Sequence, residues 1–163
     1  ASSRTYVYRF NDARSAPVLG RHYVTHVRAK LDAEVMNVAS QSLVGLHDFT
    51  AFAGPSTPSG APTLRNVESA STTRKGDNIE FEITANAYMH QQIRRIAGVL
   101  YDVGRGNATT EIVGRLLASK SRGAASHVMP AEGLCLEEIS YNGSGECGLP
   151  AITAADSVDL SVN

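Results

Sequence analysis

Residues 79–104, IEFEITANAYMHQQIRRIAGVLYDVG, change their hydrophobic period once, and that change decides the fold. Ile79, Phe81, Ile83 and Ala85 alternate with Glu80, Glu82 and Thr84, the period-two pattern of a strand with one buried and one wet face. The spacing then lengthens. Met89, Ile93, Ile96, Ala97 and Leu100 fall on one helical stripe, which predicts a helix over 86–104 with Gly104 as its stop. A one-sided strand belongs to an antiparallel sheet, and the helix that follows it has an oily stripe to lay on that sheet. Arg94 and Arg95 disturb this picture. Arg94 directly follows Ile93 and precedes Ala97 by three, so it borders the stripe instead of opposing it. An arginine there needs a carboxylate, a phosphate or solvent. Gln91 and Gln92 beside it give the start of the helix the polar character of a site wall.

Working outward, 75-KGDN-78 reads as a hairpin turn joining residues 65–74 to the strand at 79. Residues 4–10, RTYVYRF, form another alternating strand with Tyr6, Tyr8 and Phe10 on one side and Thr5, Val7 and Arg9 on the other, and 22-HYVTHVR-28 is a further strand candidate. Asp32 stands as an N-cap before Val35, Val38, Ala39 and Leu43, which predicts a helix running up to Gly45. Three prolines and two glycines between 46 and 64 predict a loop and no core element. A short helix over 110–119 buries Ile112, Val113, Leu116 and Leu117. A last strand over 134–141 changes apolar phase between Leu136 and Ile139, which predicts a bulge or a strand end. The order is that of an α+β domain over residues 1–141: a mostly antiparallel sheet with helices packed on one face. Residues 142–163 turn to Gly, Ser, Ala and acid and read as a surface or disordered tail.

The 163 residues suffice for one domain with a single core, and 42% hydrophobic with 19% charged residues is ordinary for a globular chain. Net charge is only −1, but it is uneven: residues 1–30 carry six basic residues against Asp12, while residues 132–163 carry six acids and no Lys or Arg. Arginine outnumbers lysine twelve to three, which suits bidentate contact with phosphate or carboxylate. Cys135 and Cys147 form no CxxC, so neither a disulfide framework nor a zinc site is expected, and a reducing compartment, cytoplasm or organelle matrix, is the default. No apolar run approaches the length of a membrane span, so no membrane partner is expected. The chain opens at Ala1 without a methionine and is almost at once inside a strand pattern, as a processed or cut N-terminus would be.

Few residues announce chemistry on their own. His47 and Asp48 are adjacent, but neighbours in sequence point differently and form no relay by themselves. His22 and His26 share a strand side without a third ligand, so no metal site is expected. The stretch 103-VGRGN-107 lacks the spacing of a phosphate loop, and no GxSxG elbow occurs. Tyr6 and Tyr8, flanked by Arg4 and Arg9, have two readings: half-buried sheet aromatics, or a platform for stacking bases beside phosphates.

The ordered pieces together are more specific. They are RxYxY at Arg4, Tyr6 and Tyr8; LD before a helix at Leu31 and Asp32; GxHDFxxF from Gly45 to Phe52; TxRxV at Thr63, Arg65 and Val67; FxIxANAYMHQQIRRIAGxLxxVGxG from Phe81 to Gly106; and AEGLxLxxIxY from Ala131 to Tyr141. In this order they resemble the C-terminal half of the TruA family of tRNA pseudouridine synthases, over roughly residues 4–141. The resemblance implies an enzyme that flips a uridine out of an RNA stem-loop, breaks its glycosidic bond, rotates the base and rejoins it through carbon 5 without a cofactor. It implies that Tyr6 packs on the target base, that Leu134 walls the pocket and that Arg94 pairs with the catalytic aspartate. Arg4, Arg9, Arg65 and Arg95 are the expected RNA contacts. The family's aspartate belongs to an RTDxGVHA motif in the N-terminal half, and no aspartate in this sequence follows Arg-Thr. The implied partners are therefore tRNA or another structured RNA and a half that supplies the aspartate, with a homodimer as the family's form. The alternative is a non-catalytic RNA binder, such as an organelle ribosome component or assembly factor in contact with ribosomal RNA and proteins. Two positions depart from the family: Arg95 replaces an asparagine, and Cys135 stands where an aromatic is common.

Overall fold

A computed structural model describes residues 2–141. Its elements run β1 (Ser3–Asn11), β2 (Thr25–His26), α1 (Ala33–Gln41), β3 (Gly45–Asp48), a 3-10 turn (Thr50–Phe52), β4 (Leu64–Lys75), β5 (Asn78–Ala85), α2 (Gln92–Gly104), α3 (Ile112–Ser119), a second 3-10 turn (Ala131–Gly133) and β6 (Leu134–Ser140). The six strands form one sheet in the order β2-β1-β5-β4-β3, with β6 on the same edge of β1 as β2. Every pairing is antiparallel except the two-residue β1–β2 ladder. The fold is α+β, with its helices packed on the sheet.

The alternation in β5 sets the layers. Ile79, Phe81, Ile83 and Ala85 are fully buried and oppose Phe10, Tyr8, Tyr6 and Arg4 of β1, so these residues share the helix-covered face. Ile96 and Leu100 of α2 and Met36 of α1 close the core over them. Each such side chain, fully buried, contributes about 1.5–3 kcal/mol relative to exposure. The other face stays wet: Arg9 lies there between Glu80 and Glu137, at 3.3 and 2.8 Å.

The β4–β5 hairpin turns at Gly76, whose φ of +64° is the left-handed conformation a tight turn requires. The phase change in the last strand is a bulge: Thr5 pairs with Glu138 and Tyr6 with Leu136, leaving Glu137 as the extra residue. Asp32 caps α1, accepting from the N–H groups of Glu34 and Val35.

Several expectations need correction. Of residues 22–28 only Thr25 and His26 are strand, because β6 already occupies most of that edge of β1 and leaves just Phe10 and Asn11 to pair. Helix α1 ends at Gln41, and Gly45 starts β3 with a φ of +110°. Its inner face is rotated: Val38 is 58% exposed, while Met36, Ala39 and Ser40 are buried and Ser40 Oγ bonds the Met36 carbonyl and Thr72. The 46–64 segment is not merely a loop. It contributes β3 and a 3-10 turn, and Phe49 just before that turn is fully buried with Ala51 and Phe52 inside it. Helix α2 starts at Gln92, not at 86, after Gln91 in the left-handed region at φ +60°. Gln92 is itself fully buried, its Oε1 accepting from Met89 N–H, and with Gln91 it gives the cavity described below a polar stretch of wall. Helix α2 ends at Gly104 as expected, but Gly104 is its last helical residue and not a left-handed stop. It lies inside the last turn, where a Cβ would stand 2.5 Å from Met36 Sδ, and the chain turns away at Gly106 with φ +85°. Helix α3 starts at Ile112, two residues later than expected. The expected tail at 142–163 lies outside the described residues.

A buried charge ties β1, β4 and the entry to α1 together. Asp12 has a fully buried carboxylate held by Arg74 at 2.7 and 3.0 Å, by the Leu31 N–H at 2.9 Å and by Lys30 at 3.3 Å. Burial raises its pKa, but these donors outweigh burial and bring it down to about 2.

Candidate active site

Three segments converge at the open end of the helix-covered face. Strand β1 brings Tyr6, the first turn of α2 brings Arg94, and the start of β6 brings Leu134; all three line one cavity of about 310 Å³. Tyr88, Met89, His90, Ala131 and the Gln91–Ile93 stretch at the start of α2 complete its lining.

Each of these side chains is set by a local cause. Tyr6 meets the edge of Tyr88 in a T-shaped contact at 5.2 Å, a favoured aromatic geometry. Tyr88 is fixed by its hydroxyl, 2.9 Å from the carbonyl oxygens of both Arg4 and Ile83, and burial raises its pKa and keeps it neutral. The Arg94 Nε–H donates to the Met129 carbonyl at 2.6 Å. Its two terminal nitrogens have no hydrogen-bond partner among the described residues, which leaves the outer edge of the guanidinium able to take an anion. Leu134 follows the Ala131–Gly133 turn. Gly133 is needed there, because a Cβ would stand 2.8 Å from the Arg9 carbonyl, Thr25 Oγ1 and the Tyr8 ring.

Tyr8 supports the cavity from below. Its buried hydroxyl is 2.7 Å from Thr25 Oγ1 and donates to the Pro130 carbonyl at 2.7 Å. Burial dominates and pushes its pKa up to about 12, against the opposing pull of Thr25 and of the Arg94 charge. Of the two readings of the tyrosine pair, Tyr8 is therefore a sheet aromatic in the core, and only Tyr6 fronts open space.

The arginines named from sequence separate. Arg9 lies on the opposite sheet face and is engaged by two carboxylates. The Arg95 Nη1 donates to the Ala125 carbonyl at 2.8 Å, its Nε is buried without a partner among the described residues, and the side chain lies outside the Tyr6 cavity. Arg65 sits in β4 opposite His47 and donates to the Leu64 carbonyl, outside the cavity. Arg4 is exposed on the same sheet face as Tyr6. His47 bonds the Val44 carbonyl while Asp48 accepts from Thr50, so the two form no relay. His26 bonds the Ala13 carbonyl.

Sequence reasoning passed over Tyr88 and the Met129 carbonyl. An aromatic three residues beyond the last strand residue was a usable signal for the first. Nothing in the sequence marks a backbone oxygen 35 residues downstream of Arg94.

A cavity that offers an aromatic face, an aliphatic wall and an arginine with free donors is suited to a flat, polar ring beside an anion. The sequence model of a family described as tRNA pseudouridine synthase matches residues 39–142. The chain belongs to the TruA family of tRNA pseudouridine synthases. It is 38% identical over 145 residues to "tRNA pseudouridine synthase A" of Caulobacter sp. (strain K31), covering 89% of this chain and 58% of that protein. It is 40% identical over 141 residues to the protein of that name from Aliivibrio salmonicida (strain LFI1238), covering 86% of this chain and 53% of that one. The chain thus spans somewhat more than half the length of the curated relatives it matches.

Proposed function

We propose that this chain is the C-terminal half of a TruA-like tRNA pseudouridine synthase, supplying the base-holding side of the site to an aspartate from an N-terminal half. The observation that carries this reading is the meeting of Tyr6, Arg94 and Leu134 at one cavity. A uridine extruded from its stem enters that cavity, with Tyr6 against one ring face and Leu134 closing the side. The free edge of Arg94 pairs with the aspartate and keeps it ionised, as an adjacent guanidinium does for any carboxylate. The aspartate is the nucleophile. The aspartate carboxylate bonds to C1′ as the N1–C1′ bond of the nucleotide breaks, the freed uracil turns within the cavity, and C5 bonds to C1′ as the bond from C1′ to the aspartate breaks. The C5 proton then leaves, and N1 carries a proton in the product. No cofactor enters this sequence of steps.

The test is tritium release from tRNA labelled at uridine C5, using the full protein and its Arg94→Ala variant. Release by the first and its loss in the second are expected; full activity in the variant sinks the role given to Arg94. A second reading is a non-catalytic RNA binder that keeps the Tyr6 cavity without an aspartate to complete it. Tight binding of structured RNA by the full protein, with no tritium release from any tRNA, would select it.

A further inference from the structure

The loop between β1 and β2 carries a surface that neither the core nor the Tyr6 cavity uses. In residues 13–24, ARSAPVLGRHYV, three large apolar side chains face solvent: Val18 at 86%, Leu19 at 90% and Tyr23 at 71% exposure. Connecting loops are ordinarily polar at the tip, and a cluster of exposed apolar groups marks a contact surface. The loop is built to present them. Gly20, at φ +73°, and the Tyr23 N–H donating to the Gly20 carbonyl at 2.9 Å close a turn at the tip.

Charge says what the surface meets. Arg14 and Arg21 in the loop and Arg28 just beyond it are exposed, and none forms a salt bridge with a described residue. Asp12 nearby is buried and already bound by Arg74 and Lys30, so it neutralises none of them. Between the loop and the Pro130–Glu132 segment lies an open cavity of about 490 Å³, with Glu132 as its one carboxylate among the described residues. Its position matters. Pro130 and Glu132 line this cavity while Ala131 and Leu134 line the Tyr6 cavity, so one short turn of chain separates the two. The Tyr8 hydroxyl fastens both sides of the junction, bonding Thr25 at the base of the loop and the Pro130 carbonyl.

We propose that this loop and its cavity hold the RNA strand that flanks the uridine seated at Tyr6. Arg14, Arg21 and Arg28 take phosphates, and Tyr23 stacks on an unpaired base. Val18 and Leu19 pack against the neighbouring base or ribose. A protein partner would use the apolar trio but leave three guanidiniums unmatched, whereas RNA offers both ring faces and phosphates. The inference rests on the synthase reading for the identity of the cavity's occupant.

The test uses the full protein and its tRNA substrate, comparing wild type with an Arg14→Ala/Arg21→Ala double variant, with Tyr23→Ala and with a Val18→Ser/Leu19→Ser variant. Loss of the two arginines is expected to raise KM about tenfold or more, and to flatten the plot of log affinity against log salt by about two units. Tyr23→Ala and the Val18/Leu19 variant raise KM without changing the salt slope, and none of the variants shifts the melting temperature. Unchanged KM and slope overturn the proposal. So do variants that alter oligomeric state or association between halves while leaving RNA binding intact, since the loop is then a protein interface. Failure of the synthase reading is separable: a wild-type protein that releases no tritium still reports the loop through filter binding of tRNA.

Discussion

Arg94 and Met129 are bonded to each other twice: the Arg94 Nε–H donates to the Met129 carbonyl at 2.6 Å, and the Met129 N–H donates to the Arg94 carbonyl at 3.1 Å. This reciprocal pair locks the guanidinium plane to the backbone of the segment that continues into Leu134. The arginine and the cavity wall are therefore positioned as one unit, and a displacement of either is felt by both.

Replacing Arg94 by Lys keeps a positive charge but removes the planar donor set that bonds Met129 and an anion together. Pseudouridine formation by the full protein is expected to fall at least about 100-fold in kcat, because a misplaced charge near the reacting carboxylate costs that much. Circular dichroism is expected to show an unchanged fold. Wild-type kcat in Arg94→Lys refutes the bidentate role.

Arg95→Ala is expected to lower kcat and stability with no change in the salt dependence of RNA binding. The Arg95 Nη1 bonds the Ala125 carbonyl, so its loss leaves that acceptor unpaired at a cost of about 1–3 kcal/mol and loosens the strand of chain that ends at Met129. A shallower salt slope in this variant would instead mark Arg95 as a phosphate contact.

Two glycines of α2 give graded effects. A Cβ at Gly104 presses on the flexible end of Met36, so Gly104→Ala is expected to cost about 1–3 kcal/mol. A Cβ at Gly98 would overlap the His127 carbonyl oxygen, which belongs to backbone and cannot step aside alone. Gly98→Ala is expected to melt at a lower temperature than Gly104→Ala and, by displacing residues 127–129, to reduce kcat as well. Equal activity in the two variants contradicts the coupling of that segment to Arg94.

Asp12 makes stability depend on acid. Its folded pKa of about 2 lies below the ordinary value of 3.8, so its contribution is fully present above pH 4 and is lost as pH falls from about 4 to 2. The difference corresponds to about 2 kcal/mol. Arg74→Met leaves the buried carboxylate with Lys30 and one backbone donor and is expected to cost about 3 kcal/mol at neutral pH. Urea unfolding of wild type and variant between pH 2 and pH 7 measures both. Identical losses on acidification in the two proteins would remove Asp12 from the account.

The hairpin, the helix stripe and the bulge were legible because each is a local period: 2.0 in β5, near 3.6 in α2 and a phase slip in β6. The misreadings share one cause. The pattern that places Val38 inward says a residue is apolar, without saying which neighbour arrives. In the fold Met36 takes the inner position beside Gly104, and Val38 is turned outward. The 46–64 segment was misread because proline and glycine mark a break in periodicity, and a break can still carry Phe49 and Phe52 into the core.

For the candidate site, sequence by itself pointed to the family and named Tyr6, Arg94 and Leu134 in three separate motifs, and these line one cavity. The strand register that sets Leu134 opposite Tyr8, two residues along β1 from Tyr6, depends on pairing between residues 126 positions apart. Only tertiary structure decided the fates of the arginines. Two neighbours on one helix, Arg94 and Arg95, lie about 100° apart around its axis. That rotation sends one guanidinium to the cavity and the other to the Ala125 carbonyl, and Arg9, one strand position from Tyr8, goes to the opposite face. Composition counts these charges as equal; the packed chain does not, because a guanidinium that finds a carbonyl or carboxylate within the protein has fewer donors left for a ligand.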